Sequence, residues 1–146
     1  MSLKLKYWIS AFRLRTLPLA LSTVLLGGFI GYFDGVTNWT VFILALLTTL
    51  FLQILSNLAN DYGDSSHGVD NIHRVGPQRT VQSGKISVRQ MKVAIIILSV
   101  LCLATGIPLV FMALQGGNHL VRVLFLIMGL LAIIAAIKYT VGNNPY

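Results

Sequence analysis

The chain contains no glutamate, and its four acidic residues are all aspartates. Charged residues make up 10% of it, against about 25% in an average soluble domain, while 55% of the residues are hydrophobic. This composition excludes an ordinary soluble domain. A single cysteine, Cys102, excludes a disulfide framework, and its place in an apolar run predicts a buried thiol. The sequence also lacks a phosphate-binding glycine loop and a dinucleotide-binding fingerprint, which argues against a nucleotide ligand.

Four apolar stretches dominate the chain, and no lysine or arginine lies centrally in any of them. They cover about residues 17–33, 39–59, 91–114 and 120–140. A helix needs roughly 20 apolar residues to cross the hydrocarbon core of a bilayer. We therefore predict an all-α integral membrane protein, a bundle of four transmembrane helices. Gly27, Gly28 and Gly31 give the first of these helices a small-residue face suited to close packing.

The net charge of +7 could indicate a nucleic-acid partner, but the distribution of the basic residues indicates a membrane protein instead. If the N-terminus is cytoplasmic, ten of the eleven basic residues lie on that side and Arg122 lies opposite. The ten are Lys4, Lys6, Arg13, Arg15, Arg74, Arg79, Lys85, Arg89, Lys92 and Lys138. This asymmetry predicts a multi-pass protein of the inner (cytoplasmic) membrane with both termini in the cytoplasm and no nucleic-acid partner.

Residues 3–15 mix lysines with aromatic and aliphatic residues, as an amphipathic segment at a membrane interface does. We expect this lead-in to lie flat and the first helix to stay attached. Thr16 is expected to cap the first span, and Pro18 is compatible with its opening turn. Between the second and third spans, residues 60–90 form a long, polar cytoplasmic connection, and a connection of that length in a compact protein is commonly functional.

Three of the four aspartates, Asp61, Asp64 and Asp70, fall at the start of this connection. Like charges crowded at a membrane edge repel one another and need a cation, and carboxylate oxygens suit Mg²⁺ or Ca²⁺. The spacing does not match an EF-hand, which requires alternating oxygen ligands and a closing glutamate. The sequence predicts a metal site, with a cluster of ion pairs to neighbouring basic residues as the alternative.

A polar stripe follows one face of the second span toward these aspartates. Gln53, Asn57, Asp61 and Asp64 are spaced i, i+4, i+8 and i+11, with Asn60 beside them. Gln53 by itself is better explained by interhelical hydrogen bonding. Ionisable groups at a membrane span mark a functional path by default, so we assign the aspartates to function.

Basic residues follow the aspartates in the same connection. They are Arg74, Arg79 and Lys85, with Gln82 and Ser83 as further hydrogen-bond donors. A diphosphate ester is bound through Mg²⁺ that bridges carboxylates to phosphate oxygens, and Arg or Lys neutralises the remaining charge. Both kinds of group occur here in a membrane protein, which predicts a membrane-dissolved diphosphate as the ligand.

The motifs of this connection resemble those of a known family. Asn-Asp-Tyr-Gly-Asp at 60–64, Gly-Val-Asp at 68–70, Arg-Val-Gly-Pro-Gln-Arg at 74–79 and Val-Gln-Ser-Gly at 81–84 closely resemble the first aspartate-rich motif of UbiA-superfamily prenyltransferases. Arg-Leu-Arg-Thr-Leu-Pro at 13–18 and Lys-Tyr-Thr at 138–140 are also similar to that family. More narrowly, the motifs look like those of the branch that prenylates 1,4-dihydroxy-2-naphthoate in menaquinone biosynthesis.

The resemblance implies an intramembrane helical enzyme in which Mg²⁺, held by two aspartate-rich motifs, binds a polyprenyl diphosphate. It implies catalytic roles for Asp61 and Asp64 and metal binding by Asp61, Asp64 and Asp70. Together with the charge argument, it predicts that the substrate-binding residues are Asn57, Asn60, Arg74, Arg79, Lys85 and Tyr139. The expected substrates are a polyprenyl diphosphate and 1,4-dihydroxy-2-naphthoate, and the lipid membrane is the expected surroundings.

Members of that family are longer and carry a second aspartate-rich motif in their other half. Residues 1–146 are therefore interpreted as the N-terminal half of a polytopic prenyltransferase domain, with the C-terminal half expected in cis. Three alternatives stay open: prenyl transfer to another aromatic acceptor, an ion-path subunit lined by the aspartates, and a non-catalytic assembly subunit.

Overall fold

A computed structural model describes residues 3–67, 80–81 and 83–139 of the chain. Within this part every regular element is helical, which confirms the predicted all-α class. The α-helices are α1 (Leu3–Phe12), α2 (Leu17–Phe33), α3 (Trp39–His67), α4 (Val88–Ala113) and α5 (His119–Lys138). Four helical segments are long and apolar enough to cross a membrane, as predicted, with α1 and α2 counted as one segment.

The outward surface of the bundle is apolar. Leu19, Phe33, Leu120 and Met128 are all more than half exposed, although each has a large hydrophobic side chain. Exposed apolar area on this scale is unfavourable in water and is the expected surface of helices that face lipid.

The packing centre of the bundle lies between α3 and α4. The side chains buried there include Leu55, Leu58, Met91 and Cys102. The buried thiol agrees with the sequence prediction. Farther along the same two helices, the Thr48 hydroxyl donates a hydrogen bond of 2.9 Å to the Thr105 hydroxyl. Hydroxyl pairs of this kind hold helices together inside a membrane, where lipid offers no competing partner.

The junction between α1 and α2 turns at Arg13, which has a left-handed backbone with φ 50° and ψ 58°. Thr16 precedes α2, but its side chain caps no amide of that helix, so the predicted capping role is wrong. The Thr16 backbone is right-handed, with φ −89°, instead of extended as a capping residue requires. Its hydroxyl turns back and donates to the Arg13 carbonyl at 2.9 Å. Pro18 lies in the opening turn of α2, as predicted.

The predicted small-residue face of α2 contacts α3 at one of its three glycines. A Cβ atom at Gly28 would collide with the ring of Phe42 on α3. At Gly27 and Gly31 the same atom would meet no described atom within 4 Å. Gly28 therefore sets the approach of the two helices, and the other two glycines do not.

Short links join α2 to α3 and α4 to α5 at one end of the bundle, which we call the link end. The links cover residues 34–38 and 114–118. Gly35 and Gly116 have φ +70° and +76° there, a conformation in which a Cβ atom is strained. The glycines of the links thus allow the chain to turn tightly between consecutive helices.

Two side chains at the link end form hydrogen bonds with main-chain groups at helix ends that are close to them in the sequence. Asn118 caps the start of α5, because its side-chain Oδ1 atom accepts the Leu120 N–H at 2.9 Å. Arg122 donates from Nε at 3.0 Å and from Nη2 at 2.8 Å to the Leu114 carbonyl, just beyond the end of α4. This terminal carbonyl also accepts the Gly117 N–H at 3.1 Å, so the guanidinium is an additional partner beyond the end of α4.

At the opposite end, which we call the aspartate end, α3 continues to His67, past residue 59 where the predicted span ends. Asp61 and Asp64 therefore lie on a helix, on the same face as Asn57, as their spacing predicts. The start of α4 and helix α1 lie against this part of α3. The polar stripe is thus brought to a corner where three helices meet.

Candidate functional site

Asp61 is a buried carboxylate, 3% exposed, at the aspartate end of α3. Its Oδ2 atom accepts a hydrogen bond of 3.2 Å from the main-chain N–H of Thr80 and a second one from the Thr80 hydroxyl. Thr80 is itself buried, at 4% exposure. Taking a carboxylate out of water is unfavourable unless it is hydrogen-bonded or bound to a cation, and these two donors meet part of that need.

Thr80 belongs to a tight turn that leads into α4. The Thr80 carbonyl accepts the N–H groups of Lys85 and Ile86, each at 3.1 Å. The neighbouring side chains of Val81 and Ile86 are buried in the hydrophobic core. Ser87 then begins α4 with a capping box, in which Ser87 and Gln90 exchange hydrogen bonds. The donors to Asp61 are therefore held by a well-packed piece of backbone.

Asn57 lies one turn before Asp61 and is 4% exposed. Its Nδ2 donates to the Phe12 carbonyl at 2.9 Å and to the Thr16 hydroxyl oxygen at 3.0 Å. Gln53 Nε2 donates to the side-chain Oδ1 atom of Asn57 at 3.4 Å. Both amide hydrogens of Asn57 therefore bind the junction between α1 and α2. The interhelical hydrogen bonding predicted for Gln53 is confirmed, since Gln53 also donates to the Thr16 hydroxyl oxygen at 3.4 Å.

Asn60 and Asp64 lie on the same part of α3 and are partly exposed, and each has an interaction partner. Asp64 is three residues after Asp61, so the two carboxylates are neighbours on one helix face. Asp61 is the enclosed member of the pair and Asp64 the more accessible one. The arrangement presents two sets of hard oxygen atoms at one corner of the bundle.

Two of the remaining predicted residues, Lys85 and Tyr139, lie in the part of the chain that the structure describes. Lys85 is exposed, and its Nζ atom lies 5.4 Å from the centre of the Tyr7 ring on α1, within the range of a cation–π contact. Tyr139 directly follows α5 and has an interaction partner. Asp70, Arg74, Arg79 and Gln82 lie outside the described residues. Their predicted roles stay predictions.

In the part of the chain that the structure describes, no three His, Cys, Asp or Glu residues converge as a complete metal site. Asp61 and Asp64 nevertheless fit Mg²⁺. This ion is usually bound by one or two carboxylates and completes its octahedral shell with water and substrate phosphates. Both donors are carboxylates, and Thr80 fixes one of them without adding a positive charge. The donor set therefore suits Mg²⁺.

Sequence reasoning missed Thr80 and did not foresee that Thr16 contacts Asn57. Both residues contact the polar stripe across long separations, 19 residues for Thr80 and Asp61 and 41 residues for Thr16 and Asn57. Periodicity along one helix carries no information on such contacts. The sequence holds only a weak indication that Thr80 contacts the site: it is a hydroxyl-bearing residue directly between Arg79 and the apolar Val81.

The comparison of sequences assigns this helical membrane fold, with its aspartate-rich corner, to a class of intramembrane prenyltransferases. The chain belongs to the UbiA prenyltransferase family, whose model matches residues 20–145. The predicted resemblance is confirmed. No solved structure matches the chain.

Curated relatives narrow the class. The chain is 47% identical over 139 residues to the 1,4-dihydroxy-2-naphthoate octaprenyltransferase of Escherichia coli strain K12, covering 95% of this chain and 44% of that protein. It is 43% identical over 145 residues to the enzyme of the same name from Haemophilus influenzae, covering 98% and 46%. The Mycobacterium tuberculosis enzyme of that name is 34% identical over 139 residues, covering 95% and 44%. The chain thus spans less than half the length of these relatives.

Proposed function

We propose that this chain supplies the first aspartate-rich half of an enzyme that transfers a polyprenyl group to 1,4-dihydroxy-2-naphthoate. The allylic carbon–oxygen bond of a polyprenyl diphosphate breaks, and diphosphate leaves with the bonding electrons. The ring carbon that carries the carboxylate bonds to the prenyl carbon. Loss of that carboxylate as carbon dioxide returns electrons to the ring, which gives demethylmenaquinone in its reduced form.

The observation that carries the proposal is the buried Asp61 carboxylate one helical turn from Asp64, in a chain whose relatives bear this enzyme's name. Asp61 and Asp64, with Asp70 as a third ligand, would hold Mg²⁺. When bound, Mg²⁺ supplies positive charge that stabilises the departing diphosphate. The protein itself contributes carboxylate oxygen atoms, which α3 holds at the aspartate end of the bundle.

The substrate contacts follow from the position of the basic side chains. Arg74, Arg79 and Lys85 would neutralise the diphosphate oxygens that the metal does not reach. Lys85 lies over Tyr7, which favours a diphosphate bound near α1. Asn60 and Tyr139 are proposed as further substrate contacts. Asn57 is proposed as one too, although both of its amide hydrogens bind the α1–α2 junction.

A chimaera tests the function. The aligned 139-residue segment of the Escherichia coli relative is replaced by this chain, and the chimaera is expressed in cells that lack the relative. We expect prenylated naphthoate product in extracts, and we expect none from the same chimaera with Asp61→Asn. A chimaera that reaches the membrane and prenylates a different aromatic acid, but not 1,4-dihydroxy-2-naphthoate, would contradict the proposed acceptor.

The chain alone is expected to insert into a membrane without catalysing transfer. Insertion needs the apolar spans, whereas catalysis needs a second metal-binding motif beside the first, so that both act on one diphosphate. The test is an assay of purified residues 1–146 with Mg²⁺, polyprenyl diphosphate and 1,4-dihydroxy-2-naphthoate. Turnover in preparations free of endogenous enzyme would show that a second motif is dispensable or that a homodimer rebuilds it.

We also propose that the protein lies in the inner membrane with its N-terminus and the 60–90 connection in the cytoplasm, from the distribution of basic residues. The test uses a reporter enzyme that is active in the periplasm only. A fusion near Val36 should be active and a fusion near Val75 inactive. The reverse pattern would overturn the orientation.

A further inference from the structure

We propose that Thr80 is a positioning residue for Asp61: its main-chain N–H and hydroxyl fix one carboxylate oxygen so that the aspartate meets the metal in a single orientation. The inference rests on the proposed function, because it concerns the metal site of the same reaction. It adds a residue that neither the motif spacing nor the resemblance singled out.

The geometry of the contact is that of a two-point anchor. The Thr80 main-chain N–H lies 3.2 Å from Asp61 Oδ2, and the Thr80 hydroxyl donates to the same oxygen. Two donors on one oxygen restrain rotation of the carboxylate about the Cβ–Cγ bond more strongly than a single hydrogen bond does. Oδ1 takes no part in this contact. A restrained carboxylate loses less conformational freedom when it binds a cation, which favours binding.

The anchor itself is rigid. The Thr80 carbonyl accepts hydrogen bonds from the N–H groups of Lys85 and Ile86, and a third one of 3.3 Å from the Ser83 hydroxyl. Ile86 is 2% exposed in the hydrophobic core, beside α4. Movement of Thr80 would therefore break main-chain hydrogen bonds and expose apolar surface. The position of the two donors is set by this packing and not by the aspartate.

Thr80 has no charge, and a neutral hydrogen-bond donor beside Asp61 is compatible with a cation site. Thr80 is neutral, so its hydrogen bonds leave the full negative charge of Asp61 available to a metal. An arginine or lysine in the same place would hold the carboxylate but would neutralise it and repel Mg²⁺. Neutral hydrogen-bond partners that orient metal ligands are a general property of metal sites, and replacing one weakens metal binding by about ten- to a hundredfold.

The test measures Mn²⁺ binding, as a spectroscopic substitute for Mg²⁺, by electron paramagnetic resonance of the 146-residue chain in lipid nanodiscs. Thr80→Val keeps the shape and the main-chain N–H but removes the hydroxyl. We expect affinity to fall by about tenfold, the lower end of the general range, because one of the two donors remains. Thr80→Ser keeps both donors, and its affinity should return to within about twofold of the original, a difference too small to represent a lost hydrogen bond.

Thr105→Val is the matched control. It removes a hydroxyl that also joins two elements of the bundle, through Thr48, but that has no contact with the aspartates. Its Mn²⁺ affinity should be unchanged. Thermal unfolding of all three variants separates loss of binding from loss of fold, since Thr105→Val is expected to lower stability without affecting the metal.

The outcomes separate this inference from the proposed function. Normal Mn²⁺ affinity in Thr80→Val, or equal weakening in Thr80→Val and Thr80→Ser, would overturn the positioning role while leaving the metal site in place. A chain that binds no Mn²⁺ at all, with or without inorganic diphosphate, would overturn the metal site proposed for it and the role of Thr80 together. Weakened binding in Thr80→Val with recovery in Thr80→Ser supports both.

Discussion

The two ends of the bundle use polar side chains in different ways. At the aspartate end, Asn57 and Asp61 are buried and bind groups 41 and 19 residues away in the chain. At the link end, Asn118 is exposed and binds an N–H two residues away, while Arg122 reaches a carbonyl eight residues away. The link end is stabilised locally, by contacts that any pair of joined helices can make. The aspartate end is assembled from three helices and a turn.

This difference indicates that the fold fixes the orientation of polar side chains at the aspartate end more closely than at the link end. An exposed capping hydrogen bond adds little to the free energy of unfolding, because water can replace either partner. A buried amide or carboxylate that loses its partner costs the full desolvation free energy of that group. We therefore expect substitutions of the buried polar residues at the aspartate end to cost more stability than substitutions of the exposed ones at the link end. Defined orientations would matter in the proposed site, which has to position a metal and a diphosphate, whereas a link between helices has no such requirement.

The largest effect that would test this comparison is on activity. In the active chimaera, Asp61→Asn and Asp64→Asn should each reduce prenyl transfer by about a hundredfold, the usual cost of removing one electrostatic stabiliser of a transition state. The amide is a neutral and weaker Mg²⁺ ligand. The measurement is the rate of product formation at limiting Mg²⁺. Asp34→Asn, at the exposed link end, is the control and should leave the rate unchanged. Near-normal turnover in either test variant would disprove the metal assignment.

The second effect is on stability. Asn57→Ala removes the side-chain donor to the Phe12 carbonyl and one of the two donors to the Thr16 hydroxyl oxygen, and it should lower the free energy of unfolding by about 2–3 kcal/mol. Asn118→Ala removes an exposed cap and should cost about 1 kcal/mol. Unfolding in mixed detergent micelles measures both. Equal losses in the two variants would show that burial at the aspartate end has no energetic consequence.

A third comparison examines packing near the link end. Gly28→Ala places a methyl group against the Phe42 ring and should lower stability by about 1–3 kcal/mol through overpacking. Gly27→Ala meets open space and should be neutral or raise stability by up to about 1 kcal/mol, from helix propensity. The same unfolding assay applies. A loss in Gly27→Ala as large as that in Gly28→Ala would mean that both glycines are packed against a neighbour.

The smallest expected effect concerns the backbone of Arg13. Its left-handed conformation is unfavourable for a residue with a Cβ atom, so Arg13→Gly should raise stability, by less than about 1 kcal/mol because glycine gains freedom in the unfolded chain. Arg15→Gly lies in the adjacent 3-10 turn, Leu14–Thr16, and should lower stability by about 0.5–1 kcal/mol. Loss of stability in both variants would show that the Arg13 side chain contributes more than its strained backbone costs.

The sequence predicts much of the fold because its main signal is local. Runs of apolar residues long enough to cross a bilayer identify the helices of the bundle, and α3 was predicted to carry Asp61 and Asp64 on one face. The glycines of the links, such as Gly35, also predict turns from local chemistry. Each of these inferences needs a window no longer than one helix.

The contacts that hold the aspartate end could not be predicted in this way. Thr80 meets Asp61 because the turn before α4 packs on α3, and nothing in either segment alone specifies that contact. The sequence predicts that Thr16 caps α2. In the structure its hydroxyl donates to the Arg13 carbonyl and accepts from Asn57 instead, since its right-handed backbone does not suit a capping residue. When a polar side chain has several possible hydrogen-bond partners, tertiary packing decides which one it binds. A rule based on local sequence predicts only the partners that lie nearby in the chain.

The bonds from Arg122 to the Leu114 carbonyl bear on how the protein enters a membrane. In the proposed orientation Arg122 is the basic residue that must pass to the outer side, against a potential that holds cations inside at about 2.3 kcal/mol per charge for each 100 mV. The guanidinium lies at the negative end of the α4 dipole, which partly offsets its charge. Helices α4 and α5 would then cross as one hairpin, with the translocated cation already paired to the helix it follows.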